Sequence, residues 1–176
     1  DAKGTRVGSF RAGSRRPGVG RELLNTYGIT KRDIQAAELN PQQSADRMAD
    51  GQLDAFFIVG GSPLAAISQL AATKGMELYA LSDEEIAAFL KVVPYYYQDT
   101  IKAGTYEGQK DDIKTVAVGA QWVVSADVPE QLVYEITAAL WNDNTRKLLD
   151  NGHSKAKEIQ LKAALQAVNT PLHPGA

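Results

Sequence analysis

Leu53-Asp54-Ala55-Phe56-Phe57-Ile58-Val59-Gly60-Gly61-Ser62-Pro63 begins as a short apolar run and empties directly into a glycine turn and a new helix start. A run of that length, broken by Gly-Gly and a proline, reads as a buried strand followed by a helix rather than as one long helix. In open α/β sheets such a strand-to-helix junction is where ligands bind. The neighbouring sequence repeats the pattern. From Arg6 to Leu81, short apolar runs alternate with helical stretches punctuated by Gly or Pro, as a parallel sheet with crossover helices requires. Pro17 suits a first helical turn and Gly28 a helix end, and Gly51, Ser62-Pro63 and Gly75 repeat those signals. Ser82-Asp83-Glu84-Glu85 is a capping box, with Ser82 as N-cap, opening a helix that Pro94 ends.

Beyond Pro94 the character changes. Tyr95-Tyr96-Tyr97 and the glycine-bearing stretch from Ile101 to Gln109 have no helical period and read as a connector. Thr115 to Val124 reads as a strand, and Pro129 to Trp141 as a helix with Leu132, Val133, Ile136 and Leu140 on one face. That strand has no evident partner, which predicts that preceding sequence supplies one or that the chain associates with itself.

Composition narrows the functional classes. The 176 residues are 44% hydrophobic, enough for a real core. The formal net charge of -2 provides no overall positive field for nucleic acid, which leaves a small molecule as the expected partner. The absence of cysteine removes disulfides, thiolate catalysis and cysteine metal sites together. No apolar run approaches the roughly 20 residues of a membrane span. The opening Asp1-Ala2-Lys3-Gly4 is neither an initiator methionine nor a signal peptide, so the chain reads as a piece of a longer protein.

The positive charge is local. Lys3, Arg6, Arg11, Arg15, Arg16 and Arg21 fall in the first 21 residues, opposed there only by Asp1. Gly8-Ser9-Phe10-Arg11-Ala12-Gly13-Ser14-Arg15-Arg16-Pro17 follows a strand and precedes a helix, so helix N-H groups and guanidinium groups can converge on one anion. The competing reading is an exposed basic turn. Nucleotide motifs fail there. Gly13 to Gly18 has the glycine spacing of a phosphate loop, but Val19-Gly20 stands where Lys-Ser/Thr is required, and no third glycine completes a dinucleotide fingerprint.

Catalytic machinery is not evident. His153 and His173 lack metal-ligand spacing and read as structural residues. Ser14 and Ser62 lack a nucleophile elbow, so Ser62 reads as a helix cap and Ser14 as a hydrogen-bond donor. Neither an enzyme nor a bound cofactor or metal is expected. Tyrosine hydroxyls can line a polar cleft, although most pack in cores and edges.

Leu24 to Thr30, Asp50 to Phe57, Gly60 to Pro63, Ile101 to Gly108, Thr115 to Ala120 and Pro171 to Ala176 together resemble the TAXI solute receptors of tripartite TRAP transporters. These are type II periplasmic binding proteins often labelled immunogenic proteins. The resemblance runs through nearly the whole chain in the family's order. It implies an α/β fold, type II periplasmic binding protein-like, with one complete lobe plus part of a second. The complete solute-binding lobe would span residues 1–104. The returning hinge and C-terminal part of the other lobe would span 105–176, that lobe's N-terminal half being absent. It also implies an extracytoplasmic, periplasmic receptor that holds a small carboxylate, such as glutamate or 2-oxoglutarate, between lobes and delivers it to TRAP membrane permease subunits. Where the family has a Gly-Ala-Pro-Gly-Ser-Gly-Thr-like loop, this sequence has Phe10 to Arg16, keeping Gly13-Ser14 and introducing two arginines. Those arginines suit a dicarboxylate, or else fill the pocket. The expected ligand-binding set is Gly13, Ser14, Arg15, Arg16, Gly60, Gly61, Ser62 and Tyr106. An effector-binding module of a transcription regulator shares the fold and is the competing function, since fold does not fix function.

Overall fold

A computed structural model describes residues 4–9, 18–165 and 168–176. It divides into two compact units, residues 1–117 and 118–176. In the first, β1 (Arg6–Ser9), α1 (Val19–Thr26), β2 (Gln35–Glu38), α2 (Pro41–Ala49), β3 (Ala55–Phe57) and α3 (Ala65–Lys74) alternate as expected. The three strands form a parallel sheet in the order β2-β1-β3. The chain therefore steps from β1 to one neighbour, then crosses back to the other side, and the strand order reverses at β1.

Side chains alternate across this sheet with the two-residue period of a strand. Phe56 points toward the cluster of Ala45 on α2 with Ala66 and Leu70 on α3. Phe57, one residue on, lies against Gly20 of α1. One face of the sheet thus meets α2 and α3, and the other meets α1. Gly8 is buried in mid-strand because a Cβ there would lie 2.9 Å from Leu53 Cδ2 and 3.1 Å from Phe56 Cβ.

Local chemistry explains the helix ends. Asn40 and Gln43 form a reciprocal capping box at α2, with Pro41 in its first turn. Glycine 28, at φ +71°, ends α1 in a Schellman arrangement, with Gly28 N-H donating to Asn25 O and Ile29 N-H to Leu24 O. Gly51, at φ +68°, ends α2 the same way, with Gln52 N-H donating to Arg47 O. Ser82 and Glu85 form the expected capping box of α4 (Asp83–Val92), which stops before Pro94.

Two expectations for the later chain do not hold. Tyr96–Ile101 is a strand, β4, rather than connector, and it pairs with β5 (Ile113–Val118). The supposedly unpartnered strand therefore has its partner within the same unit, and self-association through that edge loses its premise for residues 115–118. The apolar run 119–124 carries no strand, and Trp122 and Val123 are exposed. The tyrosine run packs β4 onto α4, where Tyr96 meets Phe89 edge-on at 5.3 Å and Phe89 is fully buried.

The second unit contains α5 (Glu130–Leu140), α6 (Asp143–Asn151) and two short 3-10 turns, Ser154–Glu158 and Leu161–Ala163. Val133 of α5 is buried, but Leu132 is 48% exposed, so the expected apolar face is narrower than the sequence suggests. The C-terminal segment is held against the start of α5. His173 Nδ1 accepts from Gly175 N-H and its Nε2 bonds Val128 O, both at 3.1 Å. His153 accepts from Lys155 N-H at 3.1 Å as the cap of a 3-10 turn. Both histidines serve the backbone. Among the described residues, no helix is long and apolar enough to cross a membrane.

One ion pair ties β1 to the segment entering β3. Arg6 Nε donates to Asp54 Oδ2 at 3.0 Å, Arg6 Nη2 pairs with Oδ1, and the Arg6 N-H donates to Oδ2 at 2.8 Å. Arg6 Nη1 also reaches Gly51 O at 2.7 Å. The guanidinium, chiefly through its hydrogen bonds, lowers the Asp54 carboxyl to about 2. A carboxyl depressed by folding stabilises the fold fully above its unfolded value near 4 and loses that contribution as pH falls toward about 2. Asp54→Asn should therefore be less stable than the parent at pH 7, with the gap shrinking between about pH 4 and pH 2. Urea titrations across that range check it, and a gap independent of pH would contradict it.

Candidate functional site

The carboxyl ends of β1 and β3 are adjacent and level. Ser9, the last residue of β1, stands in register with Phe57, the last of β3. Each strand then hands the chain to one of the two turns singled out in the sequence. Gly13, Ser14, Arg15 and Arg16 belong to the β1-to-α1 connection and lie outside the described residues. Gly60, Gly61 and Ser62 belong to the β3-to-α3 connection. Both glycines are exposed, Ser62 is half-buried, and the Ser62–Pro63 peptide is cis.

The start of α1 is pressed against the end of β3. A Cβ on Gly20, the second residue of α1, would lie 2.4 Å from Phe57 Cγ and Cδ2. Only a glycine lets the helix come so close, which sets the first turn of α1 beside the strand end that leads into Gly60-Gly61-Ser62. The sequence drew notice to Gly20 only as a failed nucleotide motif. Its actual work is helix-to-strand packing, the same physical task that a glycine performs in dinucleotide-binding βαβ units.

Helix starts differ in how they are capped. Asn40, Ser82 and Asn142 cap α2, α4 and α6 with their side chains. Gly18 and Leu64, the N-caps of α1 and α3, provide no side-chain cap. Ser62 is thus not the cap expected of it, because α3 begins three residues later, at Ala65. α5, which begins after Pro129, likewise has no side-chain cap, but α1 and α3 are the helices that follow the two candidate turns, and among the described residues no side chain caps their first-turn N-H groups, an arrangement open to an anion.

Tyr106 sits behind the turn. It is 4% exposed, packs with Ile67 and Ala71 of α3, and its hydroxyl accepts from Leu64 N-H at 3.1 Å. Gly60 also depends on Leu64, since a Cβ at residue 60 would meet Leu64 Cδ2 at 2.9 Å. Leu64 therefore links Tyr106 to Gly60, in the turn that also carries Gly61 and Ser62.

At its other end α1 is anchored to α4. The Tyr79 hydroxyl donates to Glu85 Oε1 at 3.2 Å, while Glu85 Oε2 accepts from Ser82 N-H at 2.7 Å. The neighbouring Tyr27 hydroxyl first, and then the Ser82 N-H, hold the Glu85 carboxyl below its ordinary range. Burial first, and then the Glu85 carboxylate, pushes the Tyr27 hydroxyl up. A small cavity under α1 is lined by Val7, Leu24, Ile29, Ala36 and Phe57, with Arg21 and Lys31 also on its wall.

The whole chain, residues 1–176, matches the NMT1-like family. The chain belongs to that family. It is a periplasmic binding protein-like family related to solute receptors, generally non-enzymatic and usually extracytoplasmic. Membership agrees with a parallel sheet flanked by helices and with a role in binding a small molecule.

The Gly20 contact generates a direct test. Gly20→Ala should destabilise the chain by about 1–3 kcal/mol, because the added methyl meets the Phe57 ring and α1 must retreat. Gly28→Ala would strain the backbone without any such clash, so denaturant curves of the two variants separate packing from conformation. A Gly20→Ala curve that overlays the parent would refute the close contact.

Proposed function

We propose that this NMT1-like protein is the extracytoplasmic solute receptor of a TRAP transporter, of TAXI type, and that it captures a small carboxylate of the glutamate or 2-oxoglutarate kind. The observation that carries the reading is the Ser9–Phe57 register, because it sends the basic turn and the Gly-Gly-Ser turn out of the same edge at the point where strand order reverses. Gly13, Ser14, Arg15 and Arg16 would form the anion-binding side. Gly60 and Gly61 would allow close backbone approach, and Ser62 would offer a hydroxyl. Delivery to membrane permease subunits follows from the same reading. Residues 118–176, whose Trp122, Val123, Leu132 and Tyr134 are exposed, would belong to the second lobe.

Two positions test the two sides of the site. If Arg15 makes a buried bidentate contact with the carboxylate, Arg15→Ala should cost about 2 kcal/mol or more of binding, whereas an exposed arginine should cost under about 1 kcal/mol. Arg16→Ala should cost less than Arg15→Ala, because Arg15 adjoins the Gly13-Ser14 pair. Gly61→Val should weaken binding by obstructing the edge while leaving thermal stability nearly unchanged. Calorimetric titration with glutamate and 2-oxoglutarate at two salt concentrations checks all three, and equal affinity in every variant would remove both turns from the site.

A further inference from the structure

Resting on the reading above, we infer that Tyr106 is a positioning residue for solute binding, which holds the Gly60–Leu64 turn in its binding shape through the Leu64 N-H and does not itself touch solute. Three observations lead there. The hydroxyl accepts the Leu64 N-H at 3.1 Å, two residues from Ser62, at the start of a helix with no side-chain cap. The ring is 96% buried against Ile67 and Ala71, so it is fixed by packing and not free to swing toward a ligand. Finally, the loop that carries Tyr106 is internally braced.

That bracing centres on Gln109. Its Oε1 accepts from Tyr106 N-H at 3.3 Å, while its Nε2 donates to the carbonyls of Ile101, Lys102 and Asp111 at 2.9–3.2 Å. Asp112 closes the base of the loop, accepting from Ala103 N-H at 2.9 Å and from Lys102 Nζ at 2.7 Å. The β4–β5 loop is therefore a rigid arm with one buried phenol, and the phenol's polar contact is a backbone N-H of the candidate turn. A tyrosine needed only for bulk would not require its hydroxyl there, since phenylalanine fills the same volume.

The test compares the parent chain with Tyr106→Phe and Gln109→Leu. In the parent, the Leu64 amide should exchange slowly with deuterium. Tyr106→Phe should speed that exchange about tenfold and weaken glutamate and 2-oxoglutarate binding by about tenfold, the scale of one buried hydrogen bond. Gln109→Leu should move the Leu64 exchange in the same direction by loosening the arm, and it serves also where Tyr106→Phe fails to fold. A purely structural tyrosine would lower thermal stability and leave the affinity of the folded protein unchanged, which would overturn the proposal. So would a Leu64 amide that exchanges like an exposed one in the parent. If the parent binds neither solute, the carboxylate reading falls, while Leu64 exchange still decides whether Tyr106 positions the turn.

Discussion

The pairing of β1 with β3 depends on where Arg6 meets Asp54. Exposed ion pairs add little to stability, so the importance of this one lies in register. Arg6 and Asp54 exchange backbone and side-chain hydrogen bonds at the first position of the pair, including Asp54 N-H to Arg6 O at 2.9 Å. Val7 then stands opposite Ala55, and Ser9 opposite Phe57. A slip of one residue would turn Phe56 away from the α2–α3 cluster and Phe57 away from Gly20. It would also stagger the two strand ends from which the candidate turns leave. The Asp50–Phe57 block, one of the pieces on which the family resemblance rests, is thus explained without any ligand. Gly51 ends α2 and accepts from Arg6, Leu53 is buried, and Asp54 sets the register.

The site grows out of this frame in layers. Strand register levels the carboxyl edge, and Gly20 lets α1 reach it. The far end of that helix packs against α4. Tyr106 fixes the turn after β3. The residues proposed to meet solute are small or carry the local positive charge, whereas the residues that place them are buried or hydrogen-bonded. That division fits the solute-binding character of the NMT1-like family, which is generally non-enzymatic.

Much of the first unit was legible in the sequence because its signals are local. Gly28 and Gly51 mark helix ends through left-handed backbone, and Ser82-x-x-Glu85 writes a cap in four residues. The parallel sheet follows from alternation. The failures are non-local. β4 carries polar residues in Tyr-Tyr-Gln-Asp-Thr-Ile and is a strand because β5 lies beside it, which no periodicity records. Thr115 to Val124 looks uniform in composition, yet only its first part finds a partner. Ser62 has the chemistry of a cap, but α3 starts at Ala65, while Gly20 looks like a remnant of a nucleotide loop until Phe57 is seen against it. For the site, the Gly60–Ser62 turn and its exposure were readable, but the dependence of that turn on Tyr106 was not, since 42 residues separate Tyr106 from Leu64.

Solute binding at the shared carboxyl edge of β1 and β3 should perturb the backbone there first. Following backbone amide resonances of the isotope-labelled chain during titration with glutamate and 2-oxoglutarate tests it most directly. Saturable shifts should concentrate on residues 10–20 and 58–64, with α6 unmoved. Saturable shifts centred on α5 and α6, or on β2 and α2 with the Gly60–Ser62 turn unmoved, would contradict it.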